Sequence, residues 1–334
     1  MSPRTLVVTP NWVGDLVMAL PVLEALARDH REVWALAKPN LVPLLESNPH
    51  VHGVLQRASS DGDTLRRVRE IEAAESVILP NSFRSATIPF RAGIPVRLGY
   101  RGDWRAPLLN PAIKRPTSKG RSQIEDYKEL LQAHNIAPPL TWVPSIHLTA
   151  EMRASGEALL QRAKVRVSGR QTIGLFPGAE FGKSKRWPRE RFAETIRQIR
   201  RAAPNVNQVI VVGPKEVWLG VRLYEATGKI HPVIGPDLDL AGLATVLSQL
   251  DLLVTNDSGP MHLAAAVGTP TVAIFGPTDP VRTAPAGLGH QVVYADRWCS
   301  PCFRKRCPLL HHHCMKKIEV DEVVQAALKI LRSP

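Results

Sequence analysis

The sequence predicts an α/β protein made of two doubly wound parallel sheets, and three observations predict it. At 334 residues the chain is too long for one ordinary core and suits two domains of roughly 150 residues each. Short β-branched runs alternate with longer segments of helical apolar spacing from end to end, which is the pattern of parallel βαβ units and not of a sandwich. A proline-rich break, Ala137-Pro-Pro-Leu-Thr-Trp-Val-Pro144, separates one such series from the next, because proline withholds an N–H and fixes its own φ. The composition, 44% apolar and 22% charged, excludes a disordered or collagen-like polymer.

In the first half the expected strands are Thr5–Thr9, Glu32–Ala37, Ser76–Pro80 and Pro95–Gly99. Leu16, Leu20, Leu23 and Leu26 mark the apolar face of a helix over Leu16–Ala27. In the second half the Val- and Ile-rich runs Thr172–Phe176, Gln208–Gly213, Asp251–Thr255, Thr271–Phe275 and Gln291–Ala295 predict strands. Helical spacing is expected between them at Arg189–Arg201, Ala241–Leu250 and Met261–Val267. A last helix, Asp321–Leu331, could pack on either domain. The boundary is expected between about 138 and 170, dividing the chain into residues 1–150 and 151–334. Strand carboxyl ends and helix amino ends converge in such domains, so a cleft between them is the default ligand site.

Lys and Arg total 43 against 30 Asp and Glu, a formal net charge of +13, and both halves are net basic, the second more so. Such a field favours an anionic partner: nucleic acid, an acidic membrane face or a phosphorylated small molecule. No uncharged apolar run reaches about 18 residues. Pro3, Arg4, Pro10, Asn11 and Asp15 near the start do not read as a signal peptide. A cytoplasmic protein without a membrane span is expected.

Four segments carry chemistry. Thr9-Pro-Asn-Trp-Val-Gly-Asp15 follows the first strand and opens into a helix, where Gly14 permits a tight turn and close ligand approach. Asp15 there is either a carboxylate placed for general-base work or a helix N-cap.

Leu175-Phe-Pro-Gly-Ala-Glu-Phe-Gly-Lys-Ser-Lys-Arg-Trp-Pro188 places a glycine-rich loop and a basic cluster between a strand and a helix. Free N–H groups at Gly178, Ala179 and Gly182 with Lys183, Lys185 and Arg186 would suit a phosphate or pyrophosphate. The spacing is not that of a P-loop, since only three residues separate Gly178 from Gly182. A solvated basic loop is the competing reading.

Asn256-Asp-Ser-Gly-Pro-Met-His262 ends a strand and starts a helix whose amino end can hold an anion, with Asp257, Ser258 and His262 offering side chains. Alternatively Asp257 and Ser258 cap the helix and His262 is a core residue. Finally, all four cysteines, Cys299, Cys302, Cys307 and Cys314, fall in one short stretch beside His311, His312 and His313. The C-x2-C pair with later Cys or His is compatible with a structural zinc. Reduced thiols are the other reading, and disulfides are disfavoured in a reducing compartment.

Together the Asn11–Asp15, Gly178–Pro188 and Asn256–His262 motifs, in this order, resemble the bacterial heptosyltransferases of glycosyltransferase family 9. That resemblance implies a GT-B architecture of two facing Rossmann-like domains, the first holding the acceptor and the second the nucleotide-sugar. It implies inverting transfer of heptose from ADP-heptose to heptose I of the growing inner core of lipopolysaccharide, with no cofactor required for catalysis. By the same resemblance Asp15 is the general base and Lys185 the lysine that neutralises the donor pyrophosphate. Asn256, Asp257, Ser258, Gly259 and His262 form the donor turn, with Asp257 near the heptose hydroxyls. Gly178, Ala179 and Glu180 form the donor loop, and Glu216 lies near the ribose. Gly178–Phe181 lacks the Thr-Thr pair of some type I members, which favours type II. The acceptor would then be a phosphorylated glycolipid reached by peripheral contact with the inner membrane face.

Two other readings compete. Another GT-B enzyme with a different sugar nucleotide would handle phosphate in the same way. A basic nucleic-acid-binding protein with a zinc knuckle fits the charge, but 5% aromatic content and no run of five like charges argue against it, so no nucleic-acid partner is expected.

Overall fold

The computed structural model describes residues 3–117, 119–165 and 169–332. The chain falls into two compact units, Met1–His147 and Leu148–Pro334.

The first unit runs β1 (Arg4–Val8), α1 (Val13–Arg28), β2 (Glu32–Ala37), α2 (Val42–Glu46), β3 (Gly53–Gln56), α3 (Asp61–Glu70), β4 (Glu75–Ile78), α4 (Phe83–Ala92), β5 (Val96–Arg101), β6 (Ala112–Lys114) and α5 (Gln123–Gln132). Its strands form a six-stranded sheet in the order β3-β2-β1-β4-β5-β6, the doubly wound order with the switch point between β1 and β4. Leu6, Val8, Leu36, Val68, Ile78 and Ala86 share its buried core.

The second unit runs α6 (Ala150–Arg162), β7 (Thr172–Phe176), α7 (Arg189–Ala202), β8 (Asn207–Val211), α8 (Val217–Ala226), β9 (Val233–Ile234), α9 (Leu240–Leu247), β10 (Leu252–Asn256), α10 (Gly259–Ala266), β11 (Thr271–Phe275), α11 (Pro280–Thr283), β12 (Gln291–Tyr294), α12 (His313–Lys316) and α13 (Val320–Arg332). The order β12-β11-β10-β7-β8-β9 repeats the first topology, with the switch point between β7 and β10. Every residue of β7, β10 and β11 is buried, as expected of strands covered by helices on both faces. The last helix, α13, packs on this unit: Val323, Val324, Ala327 and Leu328 join a core with Trp187, Phe192 and Ile274.

The two-sheet expectation holds, and the structure adds to it. β3, β6 and β9 were not expected, and each is a two- to four-residue edge strand, too short for alternation to register. Among the described residues no helix is long and apolar enough to cross a membrane.

Candidate active site

In the first unit the switch point brings the β1–α1 turn to the carboxyl end of the sheet. Trp12, extended at φ −106°, occupies the N-cap position of α1, and Asp15 is the third residue of the helix. The N-cap alternative for Asp15 is therefore wrong, and Gly14 is helical and not a tight-turn residue. Asp15 is a half-buried carboxylate in the first turn of α1, at the end of the helix that carries partial positive charge.

In the same unit, Arg105 is 0% exposed, a burial that nothing in the sequence marks. Its guanidinium donates to Tyr100 O at 2.8 Å, to Ser85 Oγ at 2.9 Å and to Pro80 O. It thereby pins the loop leaving β4, next to β1 in the sheet. Burial pushes its pKa down to about 10, with Asp103 opposing that shift.

The second unit builds a denser arrangement at the β7/β10 switch point. Asn256, the last residue of β10, is 0% exposed. Its Oδ1 accepts from Trp187 N at 3.0 Å, and its Nδ2 donates to Pro177 O at 2.9 Å and Gly178 O at 3.1 Å. Both ends of the glycine-rich loop are thus tied to one amide. Gly178 is required for space: a Cβ there would run into the Glu216 carboxylate.

Glu216 is buried, accepts from Ala179 N at 2.7 Å and pairs with Arg186 at 3.3 Å. Burial raises its pKa, and Arg186 and the Ala179 N–H oppose the rise. The N–H of Ala179 is consequently not free for a phosphate, contrary to the sequence expectation. Glu180 lies away from this cluster in an exposed pair with Lys215.

Lys185 and Asp257 meet at the centre of the arrangement. Lys185 Nζ lies 2.6 Å from Asp257 Oδ2, with side chains 13% and 5% exposed. Thr278, in the turn after β11, donates to the same Oδ2 at 2.5 Å. Phe181 presents its ring to Lys185 Nζ at 4.9 Å and to Lys305 Nζ at 5.9 Å, a cation–π arrangement with two cations. Ser258 occupies the N-cap position of α10 but makes no side-chain cap bond; its hydroxyl contacts Thr255 Oγ1 at 3.1 Å. The amino end of α10 is thus not capped by that side chain.

His262 is buried on α10. Desolvation pushes its pKa down to about 4, against the pull of Asp257, so the ring is neutral near pH 7.

Lys185, Asp257 and His262 are therefore brought together, and Gly178, Ala179, Glu216 and Asn256 form the loop support beside them. Thr278, Phe181 and Arg186 belong to the same cluster. Thr278 follows a buried strand within Gly276-Pro-Thr, a signal the sequence carried. The chemistry available is a cation and a helix amino end beside a buried carboxylate, which suits a diphosphate bearing a hydroxylated group.

The four cysteines line one small cavity with Ser184, Pro277, His311 and His312. Among the described residues no group of three or more His, Cys, Asp or Glu is arranged to hold a metal ion.

Residues 64–313 match the model of glycosyltransferase family 9 (heptosyltransferase). The chain is 32% identical to lipopolysaccharide heptosyltransferase 2 of Salmonella typhimurium over 308 residues, covering 86% of each. It superposes on the structure of E. coli ADP-heptose lps heptosyltransferase II with a TM-score of 0.83 and 26% identity, covering 98% of both chains. E. coli heptosyltransferase WaaC with ADP shares the fold at a TM-score of 0.72 and 18% identity, covering 98% of this chain and 99% of that one. With the family model matched over residues 64–313 and a relative 32% identical over 86% of the chain, the chain belongs to glycosyltransferase family 9.

Proposed function

We propose that the chain transfers heptose, with inversion, from ADP-heptose to the heptose of a phosphorylated lipopolysaccharide inner core, as a type II heptosyltransferase. The observation that carries this reading is the buried Lys185–Asp257 pair at the carboxyl ends of β7 and β10. A cation held where water is scarce, beside a helix amino end, is what a departing ADP diphosphate requires. The relatives support the donor and acceptor: one is named for lipopolysaccharide heptosyl transfer and one for ADP-heptose.

Inverting transfer is a single displacement, so one base and one anion hole suffice. Asp15 takes the proton of the acceptor hydroxyl. Lys185 and the N–H groups of Gly259 and Met261 at the start of α10, where Pro260 has none to offer, meet the charge that builds on the diphosphate. Asp257 orients sugar hydroxyls, and Ser258 and neutral His262 line the donor. Gly178, Ala179, Asn256 and Glu216 act through position, because their polar groups are engaged with one another and with Trp187. Exposed Glu180 stands at the rim with Lys215.

We also place this work at the inner face of the membrane, where a net charge of +13 attracts the protein to anionic headgroups. Binding to anionic vesicles that weakens with salt is expected, and binding indifferent to salt contradicts the placement. The test of function is transfer to a heptose-bearing inner-core acceptor with ADP-heptose, and with UDP-sugars in parallel. Turnover with ADP-heptose alone is expected; equal turnover with UDP-sugars overturns the donor assignment.

A further inference from the structure

Between β12 and α12 the chain exposes large apolar side chains and cations together. Trp298 is 86% and Leu310 88% exposed, and Phe303 and Leu309 are also exposed. Over residues 296–317 the cations Arg297, Arg304, Lys305, Arg306, Lys316 and Lys317 are all exposed, and Asp296 is the one acidic residue. Single apolar residues on a surface are ordinary, but four between positions 298 and 310 form a patch.

The segment is folded onto the second unit. Cys302 N and Phe303 N donate to Pro277 O at 3.0 and 2.8 Å, and Leu310 N donates to Cys307 O at 3.3 Å. Ser184 Oγ donates to Arg304 O at 2.5 Å. Cys299, Cys302, Cys307, Leu309 and Cys314 line one small cavity. Trp298, Phe303 and Leu310 each adjoin a residue of that cavity in the chain, so they stand on one compact knob. Phe303 and Leu310 hold left-handed backbone, φ +53° and +56°, which bulky residues rarely adopt and which the surrounding bonds must impose.

The chemistry of the knob separates the partners that would cover it. A second copy of the chain would set the same cations against one another across a two-fold axis. Nucleic acid would suit the cations, but Leu309 and Leu310 have no flat face on which a base can stack. A bilayer of anionic lipid satisfies both features: phosphates meet the cations, an indole sits at headgroup depth, and aliphatic side chains reach the acyl boundary.

We propose that this knob docks the protein on an anionic bilayer, with Trp298, Phe303, Leu309 and Leu310 inserted and Arg297, Arg304 and Arg306 on the lipid phosphates. Ser184 and Pro277, which the knob holds, immediately precede Lys185 and Thr278, so the residues around Asp257 are tied to the docked surface. The inference rests on the membrane placement given above and does not rest on the transferase reading.

The experiment uses the full chain with vesicles of phosphatidylethanolamine and phosphatidylglycerol, beside vesicles of phosphatidylcholine alone, and measures co-sedimentation and tryptophan fluorescence. The parent should bind the anionic vesicles with a blue shift, and Trp298→Phe should keep the binding and lose most of the shift. Trp298→Ser combined with Leu310→Ser should weaken binding by about tenfold or more. Arg304→Gln combined with Arg306→Gln should weaken it by about 25-fold, from about fivefold per cation, and flatten its salt dependence. All of these side chains are exposed, so each variant should unfold at the parental temperature.

Folded variants that bind anionic vesicles as tightly as the parent overturn the docking surface and leave the membrane placement standing. A parent that binds no vesicle overturns both. Loss of duplex DNA binding or of a dimer in the Trp298→Ser, Leu310→Ser variant, with vesicle binding intact, assigns the knob to that partner and overturns the proposal. Heptose transfer to a soluble, deacylated acceptor should be unaffected by the variants, while transfer to a vesicle-bound acceptor falls with binding. Failure of the parent to transfer heptose would count against the transferase reading alone.

Discussion

Lys185 Nζ and Asp257 Oδ2 stand 2.6 Å apart, and both side chains are largely withdrawn from water. Removing one partner of such a pair leaves the other charge buried, at a cost of about 3–5 kcal/mol. Lys185→Ala should therefore lower the urea midpoint and also abolish measurable ADP binding. A variant that keeps wild-type ADP affinity would take Lys185 out of the anion site.

The contact between Gly178 and Glu216 gives a second prediction. Gly178→Ala forces a methyl group against a buried carboxylate, and overpacking of that kind costs about 1–3 kcal/mol. Combining it with Glu216→Ala makes room, so the two losses should be less than additive in denaturant unfolding. Full additivity would show that the glycine is required for another reason.

His262 sets a pH dependence. Its folded pKa, about 4, lies below the ordinary value of 6.5, so between these values the unfolded chain takes up a proton that the folded protein refuses. Stability should be complete above about pH 6.5 and fall as pH drops towards 4, by on the order of 3 kcal/mol from this residue. His262→Gln should flatten that portion of the stability-pH curve. An unchanged slope would contradict a buried neutral ring.

Arg105 is a buried cation whose donors satisfy the backbone of the loop after β4. Arg105→Leu should cost about 3 kcal/mol or more by leaving several buried acceptors without donors. Arg105→Lys should not restore the loss, because an ammonium lacks the planar fork. Thermal unfolding of the two variants checks this.

The long central elements were legible in the sequence because burial on both faces wrote them as continuous apolar runs. Thr172–Phe176 and Thr271–Phe275 match their strands residue for residue. β9 spans Val233–Ile234 and pairs only with β8, so its apolar signal is too short to read. At the site, Lys185, Asp257 and His262 stood out as chemistry-bearing residues after strands. The occupation of Ala179 N by Glu216 did not, because the two lie in different βα loops and only the fold brings them together. Arg105 was hidden for a related reason: nothing in Asp103-Trp-Arg105 separates a buried arginine from the exposed ones around it.

The most direct measurement is single-turnover transfer from ADP-heptose by Asp15→Asn beside the parent. Asparagine preserves shape and removes the base, and the lost charge–dipole term at the start of α1 is only about 0.3–1 kcal/mol, so the variant should fold. The account predicts unchanged affinity for donor and a transfer rate reduced by about 10²–10⁴. Transfer at the parental rate would contradict it.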